Sequence, residues 1–186
     1  MKVAGDMINE EKELSFKATV NNIVFHIWSR KAKGTAESDI DTTAHMHYHS
    51  EFHYVYEGTE KILRSDTGEV TVIGAGDFCM IPQNVYHATV SEGSIFRQCF
   101  YLDIEYDGTH DSPEPSDYYL FKHILDHSKN IMVYRNEFVS AAMKEFRLLT
   151  ETKNQRFDMQ RGLMLLSSIM KTVERQYLAT SDADIQ

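Results

Sequence analysis

The hydrophobic period of this 186-residue chain changes once, and that change dictates a two-part fold. From about Leu14 to Ile104, short runs rich in β-branched and aromatic residues (LSFKATV, NIVFHIWSRK, EFHYVYEG, KILRS, EVTVIG, DFCMIP, HATVSEG, IFRQCFYLDI) are separated by Gly, Asn, Asp or Pro. Side chains of this kind suit a pleated, half-buried surface, and the separators supply turns. So many short strands close into a sandwich or barrel. Within RSDTGEVTVIGAGD, the turn at Asp66-Thr67-Gly68 joins two of them, because glycine accepts the positive φ of a hairpin turn. After the acidic, proline-bearing stretch YDGTHDSPEPSD the period becomes helical.

Three helical segments are expected there. The first starts at Ser116 or Asp117 as N-cap. In the second, Phe138, Ala142, Phe146 and Leu149 share a face. In the third, Met159, Leu163, Leu166, Met170, Val173 and Tyr177 follow a 4, 3, 4, 3, 4 spacing, which is a heptad seam, with Leu165 and Ile169 widening the stripe. Such a seam packs either on the barrel or across a helix–helix dimer, and heptads this few do not separate the two. The junction divides a barrel, residues 1–112, from a helical segment, 113–186.

A hydrophobic content of 42% supports a sizeable core. The net charge of −9 provides no excess of Lys and Arg with which this segment would hold nucleic acid or an anionic membrane. Neither a signal peptide nor a run of ~20 apolar residues is present, so a cytoplasmic location with no membrane role is expected. Cys79 and Cys99 sit inside apolar strand runs and read as reduced core thiols.

The chemistry is concentrated in HMHYHSEFHYVYEG, residues 45–58. On a strand, residues two apart share a face, so His45, His47 and Glu51 can project to one side. Two imidazoles and a carboxylate offer nitrogen and oxygen ligands for Zn, Fe, Mn, Ni or Cu. A fourth ligand is available downstream, in GDFCMIPQNVYHATV, where His87 follows a proline turn. His49 and His53 share the parity but are weaker candidates, an exposed polar face being the commoner place for a histidine. Tyr48, Tyr54, Tyr56 and Tyr86 either line a cavity or pack on the sheet.

The spacing His45-x-His47-x3-Glu51-x6-Gly58 resembles the first motif of the cupin superfamily, with Asp39 where that motif begins with glycine. Gly76-x5-Pro82-x-Asn84-x2-His87 is similar to the second, with Asn84 in place of its second glycine and Ser91 in place of its final asparagine. The resemblance implies a mainly β cupin, a jelly-roll or double-stranded β-helix barrel, followed by helices. EFHYVYEG followed by GDFCMIPQNVYHATV further resembles the effector-binding domain of AraC-family transcriptional regulators, which continues into dimerisation helices. That family implies a small-molecule effector, in some cases a sugar. It also implies a pocket formed by His45, His47, Glu51, His87, Tyr54 and Tyr86, and a homodimer formed through Met159, Leu163, Leu166, Met170, Val173 and Tyr177. One divalent ion (Zn, Ni, Fe or Mn) on His45, His47, Glu51 and His87 is compatible with it, as is a metal-free pocket. DNA would be contacted only through a helix-turn-helix part that would begin where this sequence ends. The superfamily also contains isomerases and dioxygenases, so a metal-dependent cupin enzyme is the alternative. No P-loop, nucleophile elbow or dinucleotide fingerprint is present, and a non-enzymatic role is expected.

Two further patterns carry less. Asp103 to Glu114 places acidic groups at EF-hand positions, but a strand leads in and Pro113 interrupts the loop, so a solvated connector is expected. His123 and His127 are four apart without the glutamate of a zinc-protease helix, and are expected on a partly buried helix face.

Overall fold

The computed structural model describes residues 12–34, 43–91, 93–108, 116–151 and 158–183, with side chains described for all of these except 12–13, 30–34 and 176–183. Every expected strand is present: β1 (Lys12–Val20), β2 (Ile23–Gly34), β3 (Ser50–Glu57), β4 (Thr59–Arg64), β5 (Val70–Gly74), β6 (Phe78–Ile81), β7 (His87–Ser91) and β8 (Ile95–Tyr106). They are followed by α1 (Ser116–His127), β9 (Met132–Tyr134), α2 (Glu137–Glu151) and α3 (Asp158–Ala183). The short β9 was not expected. It pairs antiparallel with β6, placing Phe78 opposite Tyr134, and three residues are too few to show a period of their own.

Two antiparallel sheets result, one of six strands ordered β1-β2-β8-β3-β6-β9 and one of three ordered β5-β4-β7. Together with the helices this is the expected mainly β jelly roll with a helical C-terminal part. Strand alternation divides the larger sheet into two faces. Val55, Cys79, Ile81 and Ile95 turn inward to meet Ile62 and Ile73 of the smaller sheet. Phe52, Tyr54, Phe78, Met80, Phe100 and Leu102 turn outward and share one core with the helices. Burying each such side chain contributes about 1.5–3 kcal/mol.

The helical faces differ from expectation by a small rotation. On α2 the buried residues are Val139, Met143 and Phe146, whereas Phe138 is exposed at the start of the helix. On α3 the expected seam splits: Leu166 and Val173 are buried beside Leu165 and Ile169, but Met159, Leu163 and Met170 are exposed. The sheet therefore takes the side of the stripe nearest Leu165 and Ile169, and only half of the heptad seam is left outside. The side chain of Tyr177 lies outside the described residues. Gly162 allows α3 to close on β1, since a Cβ there would overlap the ring of Phe16. The domain junction near residue 112 falls within 109–115, as does most of the acidic stretch, and these residues are outside the described ones. Asp103 and Glu105, the first two positions of the EF-hand-like pattern, are strand residues of β8.

Candidate metal centre

His45, His47 and Glu51 arrive together because the segment before β3 runs beside the start of β7. His45 and His87 form an antiparallel bridge, each amide donating to the other's carbonyl at 2.8 Å. Asn84 holds the turn that presents His87: its backbone adopts φ 60°, which asparagine tolerates better than most residues, and its amide donates to the His47 carbonyl at 2.7 Å. This is how asparagine fills the place of the motif's second glycine. Gly58, the end of the first motif, has φ 87°, and a Cβ there would run into the Ser94 carbonyl. No other residue fits that turn.

The result is a cluster in which one ligand atom each of His45, His47, Glu51 and His87 lies within 4.8 Å of the others. Glu51 and His87 are buried and the two other histidines half-buried. His45 Nδ1 donates to the Thr43 carbonyl and His87 Nδ1 to the Val85 carbonyl, both at 2.9 Å. Each contact fixes the tautomer and turns an Nε2 lone pair toward the cluster. His47 Nε2 and His87 Nε2 each stand 3.2 Å from Glu51 Oε2. None of these three buried atoms has a hydrogen bond of acceptable geometry. Lone pairs that converge without a proton between them are stabilised by a cation, so the donor set fits a divalent metal. Three imidazoles and a carboxylate suit Zn, Ni, Fe or Mn.

Behind Glu51 lies a second layer. His53 Nε2 donates to Glu51 Oε1 at 3.0 Å and His53 Nδ1 to Glu60 Oε2 at 3.0 Å. Glu60 in turn pairs with Arg97. His53 and Glu60 are 1% and 0% exposed, so this is a desolvated chain of four groups reaching from β3 to β4 and β8. A ring with a carboxylate at each nitrogen is an imidazolium. Burial opposes that charge, but Cys99 and Glu51 outweigh it and push the His53 pKa up to about 10. Burial likewise opposes the Glu51 carboxylate, yet the charge of His53 and its hydrogen bond to Oε1 hold it well below the ordinary carboxylate range. The strand register places Cys79 and Cys99 on either side of His53. Both are buried free thiols, as expected, and burial pushes Cys79 up to about 12.

The rest of the expected pocket is dispersed. Tyr54 is three residues from Glu51, an odd step on a strand, so it faces outward into the helix-side core, packed against Tyr56 at 4.8 Å. Tyr86 alternates with His87 and is 45% exposed. Tyr48 is exposed, and Tyr56 donates its hydroxyl to the Met143 carbonyl of α2 at 2.9 Å. His49 stacks on His47 at 4.8 Å and meets Tyr101 and Trp28, a ring wall beside the cluster that the histidine spacing did not indicate. His53, expected on an exposed face, is instead the buried support of Glu51; its shared parity with Glu51 was the available signal. His123 and His127 are exposed on α1 and stack at 4.3 Å.

Residues 34–103 match the family described as Cupin domain, the span that holds both motifs and seven of the nine strands in whole or in part. The chain therefore carries a cupin domain. No curated protein matches the sequence. Solved structures similar to it include a Neisseria meningitidis protein, 20% identical over 50% of this chain and 88% of that one, TM-score 0.32. A variant of apo ToxT from Vibrio cholerae is 12% identical over 86% of this chain, TM-score 0.45. This chain spans 58% of that ToxT chain. A Bacillus subtilis oxalate decarboxylase variant is 15% identical over 61% of this chain and 32% of that one, TM-score 0.32. Among the described residues no helix is long and apolar enough to cross a membrane.

Proposed function

We propose that this chain is the small-molecule-sensing and dimerisation module of an AraC-type transcriptional regulator, with a divalent ion held by His45, His47, Glu51 and His87. The observation that carries the reading is that β3 serves both halves of the molecule. Glu51 and His53 point to the cluster, while Phe52 and Tyr54 between them lie in one core with Val139 and Phe146 of α2 and Leu165 and Ile169 of α3. Close packing makes a displacement of β3 on one side a displacement on the other. A ligand that binds one helix arrangement more tightly than another would shift their balance.

The effector is a small polar molecule, by family resemblance a sugar. A bound ion would supply a Lewis-acidic point for one of its oxygens. The imidazoles of His47 and His49 provide polar contacts, and the rings of Trp28 and Tyr101 provide an apolar wall for a ring face. A second copy would meet the exposed half of the α3 seam, Met159, Leu163 and Met170, and DNA would be reached through a further domain, in the cytoplasm.

Metal analysis followed by a thermal-shift screen of sugars and small acids tests the proposal: metal in the protein, stabilisation by one sugar and no turnover are expected. Alanine at His45, His47 or His87 leaving effector affinity unchanged in calorimetry would remove the pocket assignment. A second reading, a metal-dependent isomerase or dioxygenase, is favoured by the converging three-histidine, one-carboxylate set, because such a set leaves coordination positions for a substrate. Turnover that disappears with the metal would establish it in place of the sensor.

A further inference from the structure

Glu51 is the least replaceable member of the cluster, because it is the group that contacts both the ligand set and the interior of the barrel. Its Oε2 lies 3.2 Å from both His47 and His87, and its Oε1 3.0 Å from His53. A carboxylate free to rotate would offer either oxygen, or both, to an ion. Here the choice is removed. His53 cannot turn away, since Glu60 holds its other nitrogen and Arg97 holds Glu60. The ring is walled by its strand neighbours Cys79 and Cys99. Glu60 is on the smaller sheet and Arg97 on the larger, so the chain of contacts spans the barrel interior and is anchored at both ends.

We infer that His53, held by Glu60 and Arg97, is a positioning residue for the metal centre: it occupies Glu51 Oε1 and thereby leaves Oε2 as the single carboxylate ligand. The inference rests on the metal reading of the cluster and adds to it how the carboxylate is aimed. Its physical basis is general. Groups that hydrogen-bond a ligand fix its orientation, and removing one typically costs about 10- to 100-fold in metal affinity. The cost arises while the ligating residues stay the same, which separates a positioning residue from a ligand.

Co(II) is the probe, read by calorimetry for affinity and by visible absorption for coordination. The wild-type chain is expected to bind one equivalent, and Glu51→Ala to lose most of that binding. His53→Leu, which fills the space but removes the donor, is expected to weaken Co(II) by about 10- to 100-fold and to alter the absorption bands as the carboxylate becomes free to chelate. His53→Gln, which retains an N–H that can reach Glu51, is expected to restore the wild-type spectrum and most of the affinity. A residue needed only for folding would move neither the bands nor the rescue. Should His53→Leu fail to fold, as judged by circular dichroism, Glu60→Gln carries the same spectral comparison, with an affinity loss expected in the lower part of that range. Wild-type protein that binds Co(II) together with a His53→Leu, or in its place a Glu60→Gln, of identical affinity and spectrum overturns the positioning role alone. Wild-type protein that binds no Co(II) overturns the metal reading and the positioning role together.

Discussion

The two faces of β3 are separated by the thickness of one strand, yet they are held by different physics. The outward face, Phe52 and Tyr54, belongs to a continuous apolar core in which Phe52, Met80, Phe100 and Leu102 are all but inaccessible. The inward face, Glu51 and His53, belongs to a chain of charges in which Glu51, His53 and Glu60 are also buried and Arg97 is half-buried. An apolar contact is non-directional and tolerates exchange at constant volume. A buried ion pair is stable only while both partners and their hydrogen bonds are present. Equal burial therefore does not mean equal tolerance.

Isosteric substitutions make that difference measurable. Glu60→Gln leaves the buried chain with one uncompensated positive charge, that of Arg97, since His53 keeps Glu51, and is expected to cost about 3–5 kcal/mol in urea unfolding. Acidity gives the next effect, in metal-free protein. Glu51 is lowered on folding from an ordinary value of 4.5, so its contribution is full above that value and is lost as pH falls through the depressed one. His53 is raised from 6.5 to about 10, so its contribution is full below 6.5 and drains as pH climbs toward 10. The pair is most stabilising between about pH 5 and 6.5, and His53→Gln should flatten the alkaline limb of the stability curve. On the other face Met80→Leu is expected to cost less than about 1.5 kcal/mol. It should displace the whole stability curve without changing its shape; a pH-dependent loss there would erase the contrast between the faces. The smallest effect is expected at the exposed half of the α3 seam. Leu163→Glu should alter monomer stability by no more than about 0.5 kcal/mol and yet shift sedimentation toward the monomer, if that half meets a second copy.

The same contrast explains what could be read from the chain. His45, His47, Glu51 and His87 were legible because their spacing, with Gly58 and Pro82, encodes local turns and one bridge. The eight strands were legible because alternation is local. Tyr54 and Tyr86 were misplaced by one step of that alternation, each next to or an odd number of residues from a true cluster residue. The α2 and α3 faces were rotated because helical spacing alone admits Phe138 and Met159, whereas the sheet selects Val139 and the Leu165 and Ile169 side of the stripe. The support of Glu51 was not legible at all. That His53 meets Glu60 and that Glu60 meets Arg97 depends on the register of three strands, which no short window of sequence contains.

β8 pairs with β2 along twelve residues and with β3 on its other edge. One contact across the first of these seams, His26 to Glu105, joins residues 79 apart in sequence. During synthesis, therefore, the seven strands before β8 leave the ribosome with β2 and β3 each unpaired on the edge that β8 will fill, and that closure waits for β8. Long-range pairing of this kind is intrinsically slow and leaves sticky edges exposed meanwhile. Arg97 arrives on β8, so the order of emergence makes the charge chain behind Glu51 wait until seven strands have already emerged.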